Sequence, residues 1–566
     1  MRDEALEVRR AIEAEYARLS VAIGEKDLDA IRAIYAPDYR ELQATGEERD
    51  LAWVMSEWQG DLAAMLHPSL GVEIDRLDLD GSSANVIARS TQAFVSSPFP
   101  ALRYSVRTET TRHDSWIRSG GDWKLGRSKC QLVKSWINDK LEHEQKFESP
   151  LTAEERKAVV RELGAHALPF KTVLAGNGFA DLAGFDQLIG DARIVALGEA
   201  SHGTAEFFQM KHRLLEYLVE TKGFTVFAIE GNWPEAQVAD RYIKTGEGAA
   251  AAALAAMYFW TWQTEEVRAM LDWMRTYNSM RGNRPVLSFT GFDMQNATLA
   301  AERVLDILGR GGGVHRDEVR QLYEGIEQLE DDWEVKVSAA EKYRFRDNAT
   351  RALDLIEAQR KPLLSVLTPE EYREAHHAAH VVLQATQMRA DNSWGVRDRA
   401  MADNVCWILE EGFPGQKIVL WAHNGHVGIA RNGGEKSQGM HLRERYGDQM
   451  VVLGLASHGG EVRAKRMAEG KFQPGPPVAL PLVEAKEISV EGVFYETGLP
   501  RFILDFRRIP KDGALFRWLS EPRLHRSIGS AYDPDRSANY YQQMKLLEMY
   551  DGIIFIAQST AAKPLK

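Results

Sequence analysis

The chain has 566 residues, with Lys plus Arg at 70 against Asp plus Glu at 82 for a net charge of -12, 44% hydrophobic residues and two cysteines. That length accommodates two or three domains, the acidic balance argues against a nucleic-acid or anionic-membrane partner, and the lone pair Cys130 and Cys406 argues for reduced thiols rather than a disulfide framework. The first residues, M-R-D-E-A-L-E-V-R-R, lack the apolar core of a signal peptide, and no run of about twenty apolar residues is present to span a membrane, so a cytoplasmic protein is expected.

The first 140 residues read as an α+β unit. Helical periodicity runs over Ala5 to Ile23 and again over Leu28 to Tyr35, and alternating strands follow at Gly71 to Leu79, Ala84 to Phe94, Tyr104 to Ile117 and Trp123 to Val133. The run A-I-G-E-K-D-L-D-A-I-R-A-I-Y-A-P-D-Y at Ala22 to Tyr39, with G-D-W-K-L at Gly121 to Leu125, resembles the cone-shaped nuclear-transport-factor-2-like (SnoaL-like) fold. The resemblance implies a homodimer through the sheet or a small hydrophobic ligand, with Tyr39, Glu41, His113 and Asp114 as candidate cavity residues. Lys140 to Arg161 is strongly charged and contains Pro150, so a linker is expected over 141–165.

From about residue 166 the pattern changes to α/β, a mostly parallel sheet with helices on both faces. In R-I-V-A-L-G-E-A-S-H-G-T-A-E, Arg193 to Glu206, the apolar run Ile194 to Leu197 predicts a buried strand ended by Gly198. Glu199 and His202 occupy the turn, Thr204 is a candidate cap, and Phe207, Met210, Leu214 and Leu218 mark one face of the next helix. Similar units follow: Thr225 to Ile229 leads into Glu230 and Trp233, Val286 to Thr290 into Asp293, and Ile418 to Trp421 into His423 and His426. Strands at Val451 to Leu455, ending near His458, and Ile553 to Ile556 complete the series. The Met257 to Trp262 cluster, M-Y-F-W-T-W, reads either as core or as the wall of an apolar cleft. Between about 300 and 412, Glu, Arg, Ala and Leu predominate, which predicts a helical insertion over the strand ends.

Ligands in open α/β sheets bind at the carboxyl ends of strands, where Glu199, His202, Glu230, Asp293, His423 and His426 all fall. A histidine beside a carboxylate can take a proton from water at neutral pH, and His202 with Glu199 has the spacing for it. A second imidazole at His423 or His426 can protonate a leaving group or hold an oxyanion. No G-x-S-x-G elbow is present, so water is the expected nucleophile. Two alternatives stay open at this point: a metal site using His423 and His426 with Glu199, His202 or Glu230, and a binding protein without catalysis.

The motifs L-G-E-A-S-H-G-T-A-E-F-F, I-E-G-N-W-P-E, G-F-D-M-Q, W-A-H-N-G-H-V and Y-D-G-I-I-F-I, in this order from Leu197 to Ile556, resemble the erythromycin esterase family. The resemblance implies hydrolysis of an ester or lactone by activated water, with no covalent intermediate and no cofactor or required metal. Carried over, the base falls on His202, its carboxylate on Glu199, a second acid on Glu230, and the paired histidines on His423 and His426. The segment D-N-S-W-G-V-R-D-R, Asp391 to Arg399, is similar to one that approaches the site in that family, so Arg397 and Arg399 join Trp233 and Asp293 as substrate-binding candidates.

Overall fold

The computed structural model describes residues 2–43, 48–99, 102–146, 151–313, 315–330, 337–391, 393–432, 435–468 and 471–565; Pro150 and Asn392 lie outside them. The chain divides near residue 154 into two units.

In the first unit, Ile12, Tyr16, Leu19 and Ile23 recur at helical spacing on Arg2–Glu25 and are all buried. They pack with strand residues such as Val86, Ala88 and Trp116 in one core. The expected strands all form, longer than anticipated, as Met65–Asp80, Ser83–Phe99, Leu102–Ser119 and Asp122–Ile137. Tyr35–Leu42 adds parallel to the last of them. The helix Leu51–Ala64, capped by the Asp50 side chain on the Trp53 amide, was not anticipated, because only Val54, Met55 and Leu62 of it are fully buried.

Strand alternation sends neighbours to opposite faces, so Asp114 is buried while His113 is exposed, which corrects the cavity expectation for His113. Asp114 accepts from Tyr16 Oη at 2.5 Å and borders a cavity of about 50 Å³ with Tyr35, Trp58 and Arg112. Tyr39 and Glu41 are buried, Glu41 3.8 Å from Arg112. The 141–165 segment is a correction as well. Lys140–Lys146 is a strand paired with Asp122–Ile137, and Ala153–His166 is a helix burying Val159 and Leu163, so charge on their outer faces had masked two regular elements.

In the second unit the sheet order is Ser288–Asp293, Val226–Asn232, Ile418–Trp421, Ile194–Leu197, Met450–Ala468, Gly552–Ser559. All of these neighbours pair in parallel, and Arg501–Asp505 then adds antiparallel, followed by the two-residue strand Leu168–Pro169 at the edge. The first four of these strands are buried at every position, as cover on both faces requires, which is why they read as continuous apolar runs. The sequence does not announce Arg501–Asp505, because a strand of five residues carries little pattern of its own. Residues Thr298 to Gly412 are helical over most of their described length, with a Ser338–Glu341 capping box opening the helix Ala339–Ala358.

Register sets the site. Leu197 pairs with Trp421, and Trp421 with Ile229, so the chain leaves three adjacent central strands level with one another at Gly198, Ala422 and Glu230. The turn after Leu197 needs glycine at Gly203, where a Cβ would lie 1.8 Å from the Arg463 carbonyl oxygen. Gly203→Ala is therefore expected to lose at least about 1–3 kcal/mol of stability through forced backbone displacement, read as a lower urea midpoint with unchanged slope.

Candidate active site

Glu199 is fully buried at the end of its strand, and both of its oxygens are engaged. Oε1 lies 2.8 Å from His202 Nδ1, while Oε2 accepts from Lys211 Nζ and from Trp421 Nε1, each at 2.7 Å. Burial pushes the Glu199 carboxyl up, but the Lys211 ammonium and His202 outweigh it and hold the group ionised below the usual range. That fixes His202 with Nδ1–H toward the carboxylate and leaves Nε2 as the basic nitrogen. Among the described residues Nε2 has no hydrogen-bond partner, and the side chain is 14% exposed.

Lys211 was missed, although a signal existed. It sits in the apolar stripe Phe207, Lys211, Leu214, Leu218 of the helix Ala205–Lys222, where a lysine has to be either paired or neutral. Burial pulls its pKa down to about 8 despite the pull of Glu199 upward. Loss of that proton weakens the grip on Glu199, so any activity that depends on the Glu199–His202 pair is expected to decline with a midpoint near pH 8. Lys211→Arg, charged throughout, is expected to push that limb to higher pH in a background-corrected rate profile; an unchanged limb rules Lys211 out as its source.

The second half of the site centres on Arg397, buried on the helix Trp394–Trp407. It donates to Asp293 through Nε at 3.1 Å and Nη2 at 2.7 Å, to Glu230 Oε1 at 2.8 Å, and through Nη1 to His426 Nε2 at 3.0 Å. Glu230 Oε2 accepts the backbone N–H of His423 at 2.8 Å. Burial disfavours the Glu230 charge, yet His426 and Arg397 depress its pKa far below the usual carboxylate value. His426 Nδ1 is 2.7 Å from Asp398 Oδ1. Burial lowers the His426 pKa, but Asp398 and Glu230 more than reverse that, so the net shift is upward. Because arginine cannot accept a hydrogen bond, the contact with Nη1 holds the Nδ1–H tautomer. Glu230 Oε1 lies 3.4 Å from the same Nε2.

His423 lies between the two halves, its ring centroid 5.1 Å from that of His202. Nδ1 accepts from the Gly425 amide at 3.2 Å and Nε2 faces the Ile528 carbonyl oxygen at 3.2 Å, which defines an Nε2–H tautomer. Burial and the neighbouring His202 pull its pKa down to about 3, so it is a neutral donor at physiological pH. Trp262, 1% exposed, closes one side with its ring centroid 6.2 Å from that of His202, and its Nε1 donates to the Glu230 carbonyl oxygen at 3.1 Å. Met257 and Trp262 of the aromatic cluster thus supply core that borders the site, whereas Tyr258 between them is exposed.

Glu199, His202, Glu230, Asp293, Arg397, His423 and His426 come together at the strand ends. Two candidates do not. Arg399 is 63% exposed and pairs with Asp403 one helical turn on, facing away from its neighbour Arg397 as helix geometry requires. Trp233 is buried in the helical layer, edge-on to His377 and Trp407 at centroid distances of 4.7 and 5.8 Å. His458 is stacked on Tyr495, centroids 3.9 Å apart. Asp398 was not singled out from the sequence; its position beside an arginine on a charged helix start hid it. Among the described residues no three histidine or carboxylate groups of this rim bring one ligand atom each within 4.8 Å of the others.

Fold and site together define an α/β protein that gathers acid–base residues at the carboxyl ends of its parallel strands. A model of the erythromycin esterase family matches residues 219–559, more than half of the chain, and the chain belongs to that family. Erythromycin esterase type II of Escherichia coli is 24% identical over 441 residues, spanning 70% of this chain and 96% of its own. A Bacillus cereus protein of known structure aligns at 26% identity with a TM-score of 0.64, over 73% of this chain and 99% of its own. The erythromycin esterase EreC, solved as a mutant in its open conformation, shares the fold at 19% identity and a TM-score of 0.56, over 71% of this chain and 99% of its own. Among the described residues no helix is long and apolar enough to cross a membrane.

Proposed function

We propose that the chain hydrolyses an ester or lactone with a water molecule activated at His202. The observation that carries this reading is the Glu199–His202 pair, held at 2.8 Å with Nε2 left unpartnered among the described residues. In this reading Nε2 takes a proton from water as the water oxygen bonds to the carbonyl carbon, and the carbonyl electron pair moves onto oxygen. Glu199 stabilises the imidazolium that forms. Collapse of the tetrahedral species breaks the bond to the alkoxy oxygen, which takes the proton from His202 as it leaves.

The oxyanion needs a donor, and neutral His423 has one in Nε2–H, which exchanges the Ile528 carbonyl for the substrate oxygen. Glu230 positions that imidazole through the His423 backbone amide, and Arg397, His426, Asp398 and Asp293 hold Glu230 in turn. Arg397 and Asp293 are thus positioning residues in this reading. The relatives' names motivate macrolide lactones as the first substrates to try.

The test is mass spectrometry of a macrolide panel and simple aryl esters incubated with wild-type protein and with His202→Ala, both in chelator. The expected result is gain of one water by a substrate with the wild type and loss of that product in the variant. Equal turnover by the variant overturns the role of His202. Turnover that appears only when divalent metal is restored overturns the metal-independent step.

A further inference from the structure

Away from the strand ends, on the outer helical layer, one more group of side chains is arranged for chemistry that ester hydrolysis does not use. His376 and His380 are one turn apart on the helix Pro369–Asp391, so both imidazoles project from one face. Their ring centroids are 4.7 Å apart. Glu357, near the end of the neighbouring helix Ala339–Ala358, meets them: its Oε1 is 2.8 Å from His376 Nε2 and 4.0 Å from His380 Nε2. One ligand atom from each of the three lies within 4.8 Å of the others, and among the described residues no other trio of His, Cys, Asp and Glu does so.

We propose that Glu357, His376 and His380 form a binding site for a divalent transition-metal ion that clamps these two helices together. Two imidazoles and one carboxylate are the donor set of zinc and its borderline neighbours nickel and copper, and not of magnesium or calcium, which prefer oxygen alone. Ligand atoms about 2.1 Å from a tetrahedral ion stand about 3.4 Å from one another, so the 4.0 Å separation of Glu357 from His380 has to shorten by about 0.6 Å and the 2.8 Å separation from His376 to lengthen by about as much. Rotamer changes supply that movement, because the side chains are 28%, 42% and 51% exposed and solvent reaches all three. The backbones need not move. Phe345, Ala349, Ala352 and Ile356 of one helix share a buried core with Ala375, Ala378, Ala379 and Val382 of the other, so the ligands are carried on a preformed frame.

A lone surface ion pair explains His376 and Glu357 but not the second histidine aimed at the same oxygen from beyond hydrogen-bond range. His377, between the two ligands, turns the opposite way. It stacks on Trp407 with centroids 3.7 Å apart and meets Trp233 edge-on, so the clamped helix packs directly behind the residues that follow Glu230.

The experiment uses the full chain, stripped with chelator and dialysed, and titrated with zinc chloride in a calorimeter beside His376→Ala/His380→Ala and, separately, Glu357→Gln. The expected result is one saturable equivalent in the wild type, absent in the double variant and weakened at least tenfold in Glu357→Gln. Zinc is expected to raise the melting temperature of the wild type only. Metal-free hydrolysis is expected to be the same in the double variant and the wild type, which also shows that the variant is folded. Equal zinc stoichiometry and affinity in wild type and double variant, or no saturable binding by the wild type, overturns the proposal.

Discussion

His202→Ala is expected to lower kcat/KM by about a hundredfold to ten-thousandfold, the usual worth of a positioned general base. That corresponds to about 2.7–5.5 kcal/mol of lost transition-state stabilisation, and the loss is expected in kcat with little change in KM, because in the proposed reaction the proton transfer belongs to the transition state. The fold is expected to survive. The imidazole is 14% exposed, and its removal still leaves Glu199 accepting from Lys211 and Trp421. Steady-state kinetics on whichever ester or lactone turns over, with a thermal melt of the same preparation, separates the two effects. A loss confined to KM assigns His202 to substrate binding instead of proton transfer.

Arg397→Met is expected to be the most damaging single change to stability, at about 3–5 kcal/mol, because removing one partner of a buried ion pair leaves its acids uncompensated. Here two buried acids lose their guanidinium together, Asp293 at 0% and Glu230 at 6% exposure, and keep only their other donors. The pH dependence carries a matching signature. Glu230 and Glu199 both have folded pKa values below the unfolded value, so in the unfolded state they take up protons first as acid is added. Their contribution is present in full above the unfolded pKa of about 4.3 and drains away as pH falls through that value toward the folded ones. The wild type is therefore expected to lose urea stability steeply below about pH 4.5. In Arg397→Met the slope flattens, since Glu230 no longer has the guanidinium to hold its proton off. Urea midpoints at neutral pH and near pH 4 test both statements, and an unchanged acid slope leaves His426, the larger influence, as the source of the Glu230 shift without Arg397.

The two halves of the site depended differently on the sequence. Glu199 and His202 are three residues apart in one turn, a separation short enough that the motif itself nearly specifies their contact. Glu230, Asp293 and His426 come from three segments, and what unites them is strand register: the pairing of Ile229 with both Trp421 and Gly291 brings their turns to one rim, where the helix Trp394–Trp407 adds Arg397. The parallel strands were legible because complete burial demands unbroken apolar runs. Their order, 288–226–418–194–450–552 by first residue, was not, because no local pattern records which strand lies beside which.

Residue identity along the chain was thus enough to announce an α/β sheet, a helical stretch from about 300 to 412, an α+β unit before them, and acid–base residues at strand ends, since period and turn chemistry are local properties. It also contained Lys211 as a charge inside an apolar stripe. Which of two nearby arginines turns inward was left to helix phase against a packed sheet: Arg397 meets three acidic or basic partners, whereas Arg399, two residues on, meets solvent and Asp403. Trp233 went to the core for the same reason, because the aromatic cluster of His377 and Trp407 that receives it is assembled from helices more than a hundred residues away. Charge state was decided last and only in three dimensions, since burial and the neighbours brought by the fold keep His423 neutral and hold Glu230 ionised.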